Sequence, residues 1–299
     1  MEMEMNAKSK NGMEMQSYED SPYLIEIETL KDSGSIRSVF GAIKTQLHEA
    51  TIQINDDKLE ILQADPTHMV LVHLELFARN FHSYRCNQPI KIGLNLVNID
   101  KILKCVQAKD QLTIFVEDPQ HANYSNDSAL TYPFGFMVQR SEKSEIRKIL
   151  ITPMEPSDEL YQTPNLDCSA YEIEMPSADV CDIINHMKAM GGQVVHIIYN
   201  KETLTFFTKG ENGQAETNRY RSMDNESNMN VKKSTKGDSE IISIYVNLQK
   251  LVEFIKCTTL STIVTLYLNN DTPLIMVYKV GTLGTIKLGV ATRPKPDDW

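Results

Sequence analysis

Little in this chain of 299 residues points to chemistry. It has no G-x-x-x-x-G-K-[ST] run and no G-x-G-x-x-G, which removes the common phosphate-cradling loops. It has no G-x-S-x-G and no H-E-x-x-H, which removes the strand–turn–helix nucleophile and the helical zinc pair. No C-x-x-C occurs, and the five cysteines (Cys86, Cys105, Cys168, Cys181, Cys257) show no paired spacing, so they read as free thiols. No apolar run is long enough to span a bilayer, so no membrane partner is expected. The opening MEMEMNAKSKNGMEMQ lacks the apolar core of a signal peptide, and the expectation is an intracellular protein. Bases are also scarce: 30 Lys and Arg face 40 Asp and Glu, for a net charge of −10. That excludes a surface coated to grip nucleic acid, though not a local basic patch inside an acidic average.

What remains of acid, base and metal-ligand candidates is thin. His68 and His73 stand at an odd offset in an expected strand, which sends them to opposite faces. Asp56-Asp57 and Asp297-Asp298 read as turn and tail acids, and KGENGQ at 209–214 as a turn between strands. A metal-dependent nuclease would need a cluster of acids, and none is visible. The weight moves to a binding or structural role, with no catalytic residue, cofactor or metal assigned.

What is present is strands, helices and a repeat. LIEIETL, ATIQI, KLEIL, MVLVHLEL, IKIGL and QLTIFVED have strand character, as do YEIEM, VVHIIY, TLTFFTKG, EIISIYV, STIVTLYLN, PLIMVYKV and TIKLGVA. Between the two sets, LITPMEPSDELYQTPNLDCS at 150–169 carries three prolines and four acids and reads as a solvated connector. The expected organisation is a disordered tail at 1–22, one domain at 23–149, the connector, a second domain at 170–292 and a short tail at 293–299. Segments 119–131 and 221–240 read as polar loops.

The halves echo each other. NLVNIDKILKC at 95–105 and NLQKLVEFIKC at 247–257 share Asn-Leu and Lys-Cys at identical spacing, each preceded and followed by a strand. SIRSVFGAIKTQLHEA at 35–50 and SADVCDIINHMKAMGG at 177–192 form a second matched pair. The expected fold class is therefore α+β, two similar domains of two helices each plus many strands. Apolar stripes fix the helix faces: Leu96, Ile99, Ile102 and Leu103 inward in one, Leu248, Leu251, Val252 and Ile255 in its match. The opposite faces expose Arg37, Lys44, Lys101 and Lys104 against few acids (Asp100, Glu49), a bias that suits phosphate binding.

LQADPTHMVLVHLEL (62–76), FHSYRCNQPIKIGLNLVNIDKILKC (81–105), EMPSADVCDII (174–184) and LSTIVTLYLNNDTPLIMVYKV (260–280) together resemble the proliferating cell nuclear antigen family of sliding DNA clamps. The resemblance implies a clamp fold of antiparallel sheets, closed head-to-tail as a homotrimer around double-stranded DNA held without sequence preference. It implies a non-enzymatic processivity factor for DNA replication and repair, with DNA polymerase, a clamp loader and other proteins docking through short apolar motifs. A nuclear location, or a viral replication site, follows. The alternative is a checkpoint-type or monomeric clamp-like factor without the homotrimeric ring.

By position, the DNA-facing residues implied are Arg37, Lys44, Lys101, Lys104, Lys188, Lys250 and Lys256. The implied partner pocket comprises Ala64, His68, Met69, Leu71, Met154, Leu160, Pro273 and Val290. Lys201 falls where the family carries a modifiable lysine. Three departures stand out. Asp182 and Asn185 occupy positions where the family commonly has arginine, Ala189 one where it often has histidine, and Gln249 replaces another arginine. Ala64 stands for a larger Met, and Gly289 for a tyrosine, changes that widen the pocket or alter its shape. Basic character is expected to concentrate in the first domain, leaving a lopsided lining.

Overall fold

Alternation sets the sheets. In β1 (Tyr23–Thr29) Ile25, Ile27 and Thr29 are buried while their neighbours are not, and the same period of two runs through β10 (Tyr171–Pro176) and β11 (Val194–Asn200). The computed structural model describes residues 21–30, 33–119, 132–221, 229–234, 241–297 and 299. The first half continues as α1 (Ser33–Ile43), β2 (Glu49–Ile54), β3 (Lys58–Ala64), β4 (Val70–Phe77), β5 (Ser83–Cys86) and β6 (Ile90–Asn95). It ends with α2 (Leu96–Leu103), β7 (Gln111–Glu117), β8 (Phe134–Arg140) and β9 (Glu145–Ile151). After β10 and α3 (Ser177–Ala189) the second half runs β11, β12 (Thr203–Gly210), β13 (Gly213–Tyr220), β14 (Asn230–Ser234) and β15 (Ile242–Asn247). Then come α4 (Leu248–Phe254), β16 (Ile263–Leu268), β17 (Leu274–Val280), β18 (Gly284–Val290) and β19 (Thr292–Arg293).

The order is the same in both halves up to β18, and so is the pairing. β5-β1-β7-β8-β9 in the first half corresponds to β14-β10-β16-β17-β18 in the second, and β4-β3-β2-β6 to β13-β12-β11-β15. The halves are fused by hydrogen bonds: β4 pairs antiparallel with β18, from Leu76–Gly284 to Val70–Val290, making one nine-stranded sheet. The connector is thus not the only link. The corresponding strands β9 and β13 each lie at one end of a five-stranded sheet, with one partner among the described residues; β5 and β19 form the opposite ends.

The helices start where the repeat predicts. The side chains of Asn95 and Asn247 each accept the N–H three residues on, capping α2 and α4. Both helices then bury Leu96, Ile99 and Leu103, or Leu248, Leu251 and Phe254, against the sheets. Each such side chain contributes about 1.5–3 kcal/mol by leaving water.

Several boundaries differ from the sequence reading. β9 extends through Leu150 and Ile151, so the irregular connector begins at residue 152. Met154 bridges to Gly93, where a Cβ would come within 2.5 Å of the Glu155 carbonyl oxygen, so only glycine admits the connector there. The expected loop at 221–240 contains β14, which pairs with β10; residues 222–228 and 235–240, most of 119–131 and residues 1–20 of the tail expected at 1–22 lie outside the described residues. The end at 293–299 is no free tail where it is described. β19 pairs with β15, and the Trp299 ring packs 5.1 Å from Phe207 and 5.8 Å from Tyr245.

Candidate DNA-facing surface and peptide pocket

The four helices carry the implied DNA contacts, but these cations are not equally free. Lys101, Lys188 and Lys256 are exposed and make no ion pair with any described residue. Lys44 and Lys104 share one carboxylate, Asp100, which also corrects the sequence reading: Asp100 is buried, not an exposed acid. Burial pushes the Asp100 carboxyl up, yet the hydrogen bonds from Lys44 and Lys104 outweigh it and hold the group below the usual carboxylate range. Gly41 of α1 makes room for it; a Cβ there would meet Asp100 Oδ1 at 3.3 Å. Lys104 keeps its head in solvent, with 64% of its side chain exposed. Arg37 spends Nη1 on the Val106 carbonyl at 2.9 Å, anchoring α1 to the end of α2.

Lys250 lies elsewhere. Its ammonium donates to Asp65 Oδ2 at 3.0 Å and lies 3.5 Å from Glu253, with 18% of the side chain exposed. Asp65 sits in the turn between β3 and β4, so this pair ties α4 of the second half to the first. The same carboxylate accepts the N–H of Met69 and Val70 at 2.9 and 2.8 Å and the Thr67 hydroxyl at 2.5 Å. Burial raises its pKa, but these donors and Lys250 bring it below the ordinary range. Asp65 therefore shapes the turn that bears His68, at φ 53°, and Met69. The sequence reading missed it, although Asp65-Pro66 is a pair that favours turn initiation.

A cavity of about 450 Å³ opens beside that turn, between the connector and the β4–β18 seam. Five of the eight expected pocket residues line it: Ala64, His68, Met69, Leu71 and Pro273. Met154 and Leu160 do not; Met154 is held at Gly93, and Leu160 is 89% exposed while its neighbour Tyr161 turns in. Val290 is fully buried on the opposite face of β18, and Gly289 and Ala291 line the cavity instead. A Cβ on Gly289 would find nothing closer than 3.8 Å, so the glycine keeps the cavity open without being required by the backbone.

Below the cavity, the same face of β3, β4 and β18 carries an ion network. His73 is fully buried, with Nε2 2.8 Å from Glu60 and 3.6 Å from Glu75. These three could in principle ligate a cation. The ligand oxygens are already engaged: Lys58 reaches Glu60 and Glu75 at 2.8 Å each, and Lys287 reaches Glu75 at 2.8 Å. Opposed by burial, these lysines nevertheless bring the Glu75 carboxyl down to about 2. Two ammonium groups serve here as the countercharge a metal would supply, and the network staples the halves together. Lys201 occupies the turn between β11 and β12 at φ 51°, its carbonyl accepting the Tyr199 hydroxyl at 2.9 Å.

Comparison with known proteins matches both halves. Residues 24–129 match the family described as proliferating cell nuclear antigen, N-terminal domain, and residues 163–293 the corresponding C-terminal domain family. Together the two matches span most of the chain. A Dictyostelium discoideum protein named proliferating cell nuclear antigen is 28% identical over 267 residues, covering 89% of this chain and 97% of its own. A protein of the same name from Chaetomium thermophilum is 27% identical over 273 residues, covering 90% and 98%.

Proposed function

The chain belongs to the proliferating cell nuclear antigen family, and from that premise we propose that it is a sliding clamp: a DNA polymerase processivity factor that encircles duplex DNA in nuclear replication and repair. It is non-enzymatic in this reading. Topology supplies the tether, and the helices supply weak, sequence-independent phosphate contacts.

The observation that carries the ring is the repeat itself. Within the chain, the fourth strand of one half pairs with the last strand of the other, β4 with β18. Their counterparts β13 and β9 are each an end strand of a five-stranded sheet. Pairing β9 of one copy with β13 of the next repeats the internal seam between copies. Such a heterologous contact closes into a ring when the rotation permits, and a homotrimer then has six corresponding seams, three within chains and three between them. Ile146 and Leu150 on β9 and Tyr220 on β13 are large apolar side chains left exposed at these edges, as an unfinished interface leaves them.

In that ring the helices face the hole. Lys101, Lys188 and Lys256 are the uncommitted cations, Lys104 a partly committed one, and Arg37 and Lys44 support α2. Lys250 is reassigned from DNA contact to holding the halves together. Partner proteins place an apolar plug in the cavity bounded by Met69, Leu71, Tyr161, Pro273 and Gly289. Light scattering at several concentrations tests the ring: a trimer mass supports it, and a monomer at micromolar concentration removes it. Lys101→Glu with Lys104→Glu should shorten primer-extension products without unfolding the protein. Met69→Asp should abolish polymerase stimulation while leaving the oligomer intact.

A further inference from the structure

The single tryptophan, Trp299, has a prepared seat on the second half. Register builds it. Phe207 of β12 lies opposite His196 of β11, and His196 lies opposite Tyr245 of β15. Cross-strand partners share a face, so the three rings stand side by side. Their sequence neighbours Ile197, Phe206, Ile244 and Val246 are buried, which turns the rings away from the core. Glu216 of β13 and Arg293 of β19 complete the row at its two ends.

The chain reaches the row by a stiff route. Beyond β19, Pro294 and Pro296 each fix a φ angle, and the Trp299 N–H donates to the Pro296 carbonyl at 3.3 Å. The prolines lower the entropy cost of ordering the segment. The indole then meets all three rings edge-on, its centroid 5.1 Å from Phe207, 5.8 Å from Tyr245 and 6.3 Å from His196. Aromatic quadrupoles favour this arrangement. Arg293, Lys295 and Asp297 are exposed and form no ion pair with any described residue. The ring contacts and the two-residue pairing of β19 with β15 therefore carry the attachment.

His196 is the part of the seat that can change charge. It stacks on Tyr245 at 4.1 Å and 11°, with Nε2 2.8 Å from the Ser243 hydroxyl oxygen. Phe207 faces it from β12, and Trp299 and Lys295 from the end of the chain. Glu216 lies beyond Phe207, where its carboxylate accepts Asn218 Nδ2 at 2.8 Å, and Arg293 lies beyond Tyr245. Asp297 is exposed, and no carboxylate among the described residues pairs with the imidazole. Burial first, and Lys295 second, hold the His196 pKa below its ordinary 6.5.

We propose that the row Phe207, His196 and Tyr245 is a binding site for the chain's own terminal indole, and that protonation of His196 opens it. Lifting the segment rehydrates the imidazole and removes Lys295, so the open form binds the proton more tightly. The closed form is fully favoured above the ordinary pKa of 6.5 and loses ground as pH falls through it. The closed-to-open ratio falls by at most about tenfold per pH unit for one proton. All these residues belong to the second half of one chain, so the latch stands apart from the ring reading.

The test is the emission maximum and acrylamide quenching of the full chain from about pH 8 to about pH 5, with far-ultraviolet dichroism recorded to confirm folding. Trp299 is the only tryptophan, so the signal reads the latch alone. The indole should be protected at the high end, then shift to the red and become quenchable as the pH falls. His196→Phe keeps a ring on Tyr245 but takes no proton, and His196→Gln keeps a group that can bond Ser243. Both should lose the pH step. A wild-type indole equally protected at both ends, or already open at the high end, overturns the proposal. So does a step that survives in either variant.

Discussion

Substituting Lys101 and Lys250 one at a time separates two roles that a count of basic residues merges. Lys101 is exposed and unpaired; Lys250 is largely covered and bonded to Asp65, whose side chain is 1% exposed. If Lys101 meets a phosphate, Lys101→Ala lowers the slope of log affinity against log salt by about 0.9 for each engaged copy. Between 50 and 200 mM salt that changes affinity loss by about 3.5-fold for one contact and about 40-fold if all three copies of a ring engage. Its thermal midpoint should not move, because an exposed side chain without partners is removed. Lys250→Ala should do the reverse. It leaves a buried carboxylate without its cation, at a cost of about 1–3 kcal/mol, while Met69, Val70 and Thr67 continue to donate to it. The salt slope should stay at the wild-type value and the midpoint should fall by about 2–4 °C for each kcal/mol lost. The assay is fluorescence anisotropy of labelled duplex across a salt series, paired with calorimetric melting. A Lys250→Ala protein whose salt slope falls as far as that of Lys101→Ala would refute the division of roles.

Filling the cavity should be as informative as emptying it. Gly289→Leu meets no atom within 3.8 Å at its Cβ, so stability should hold within about 0.5 kcal/mol while binding of an apolar partner peptide, read by titration calorimetry, weakens at least about tenfold. Acid should attack the network beneath it. Glu75 has a folded-state pKa of about 2 against an ordinary 4.5, so its contribution is present above about pH 4.5 and is lost as pH falls towards 2. Lys287→Met should flatten that loss in melting curves taken across the acid range. The chain has a single tryptophan, and it packs edge-on against Phe207 and Tyr245; Tyr245→Ala should shift its emission to the red as Trp299 meets water.

These expectations turn on partners that lie far apart in sequence, and that is also where reading the chain alone falls short. Helical spacing found the buried faces of α2 and α4, and the Asn-Leu and Lys-Cys matches found the repeat, because both are local patterns. The same spacing put Asp100 and Lys250 on exposed faces. Their partners are Lys44 and Asp65, 56 and 185 residues away, and no periodicity shows them. Val290 was misplaced for a simpler reason: one step along a strand moves a side chain to the other face of the sheet, and the pocket lies on the face of Gly289, which the sequence reading had already set at its wall. β14 was hidden because an outer strand with one neighbour can be built from a polar stretch such as NVKKS.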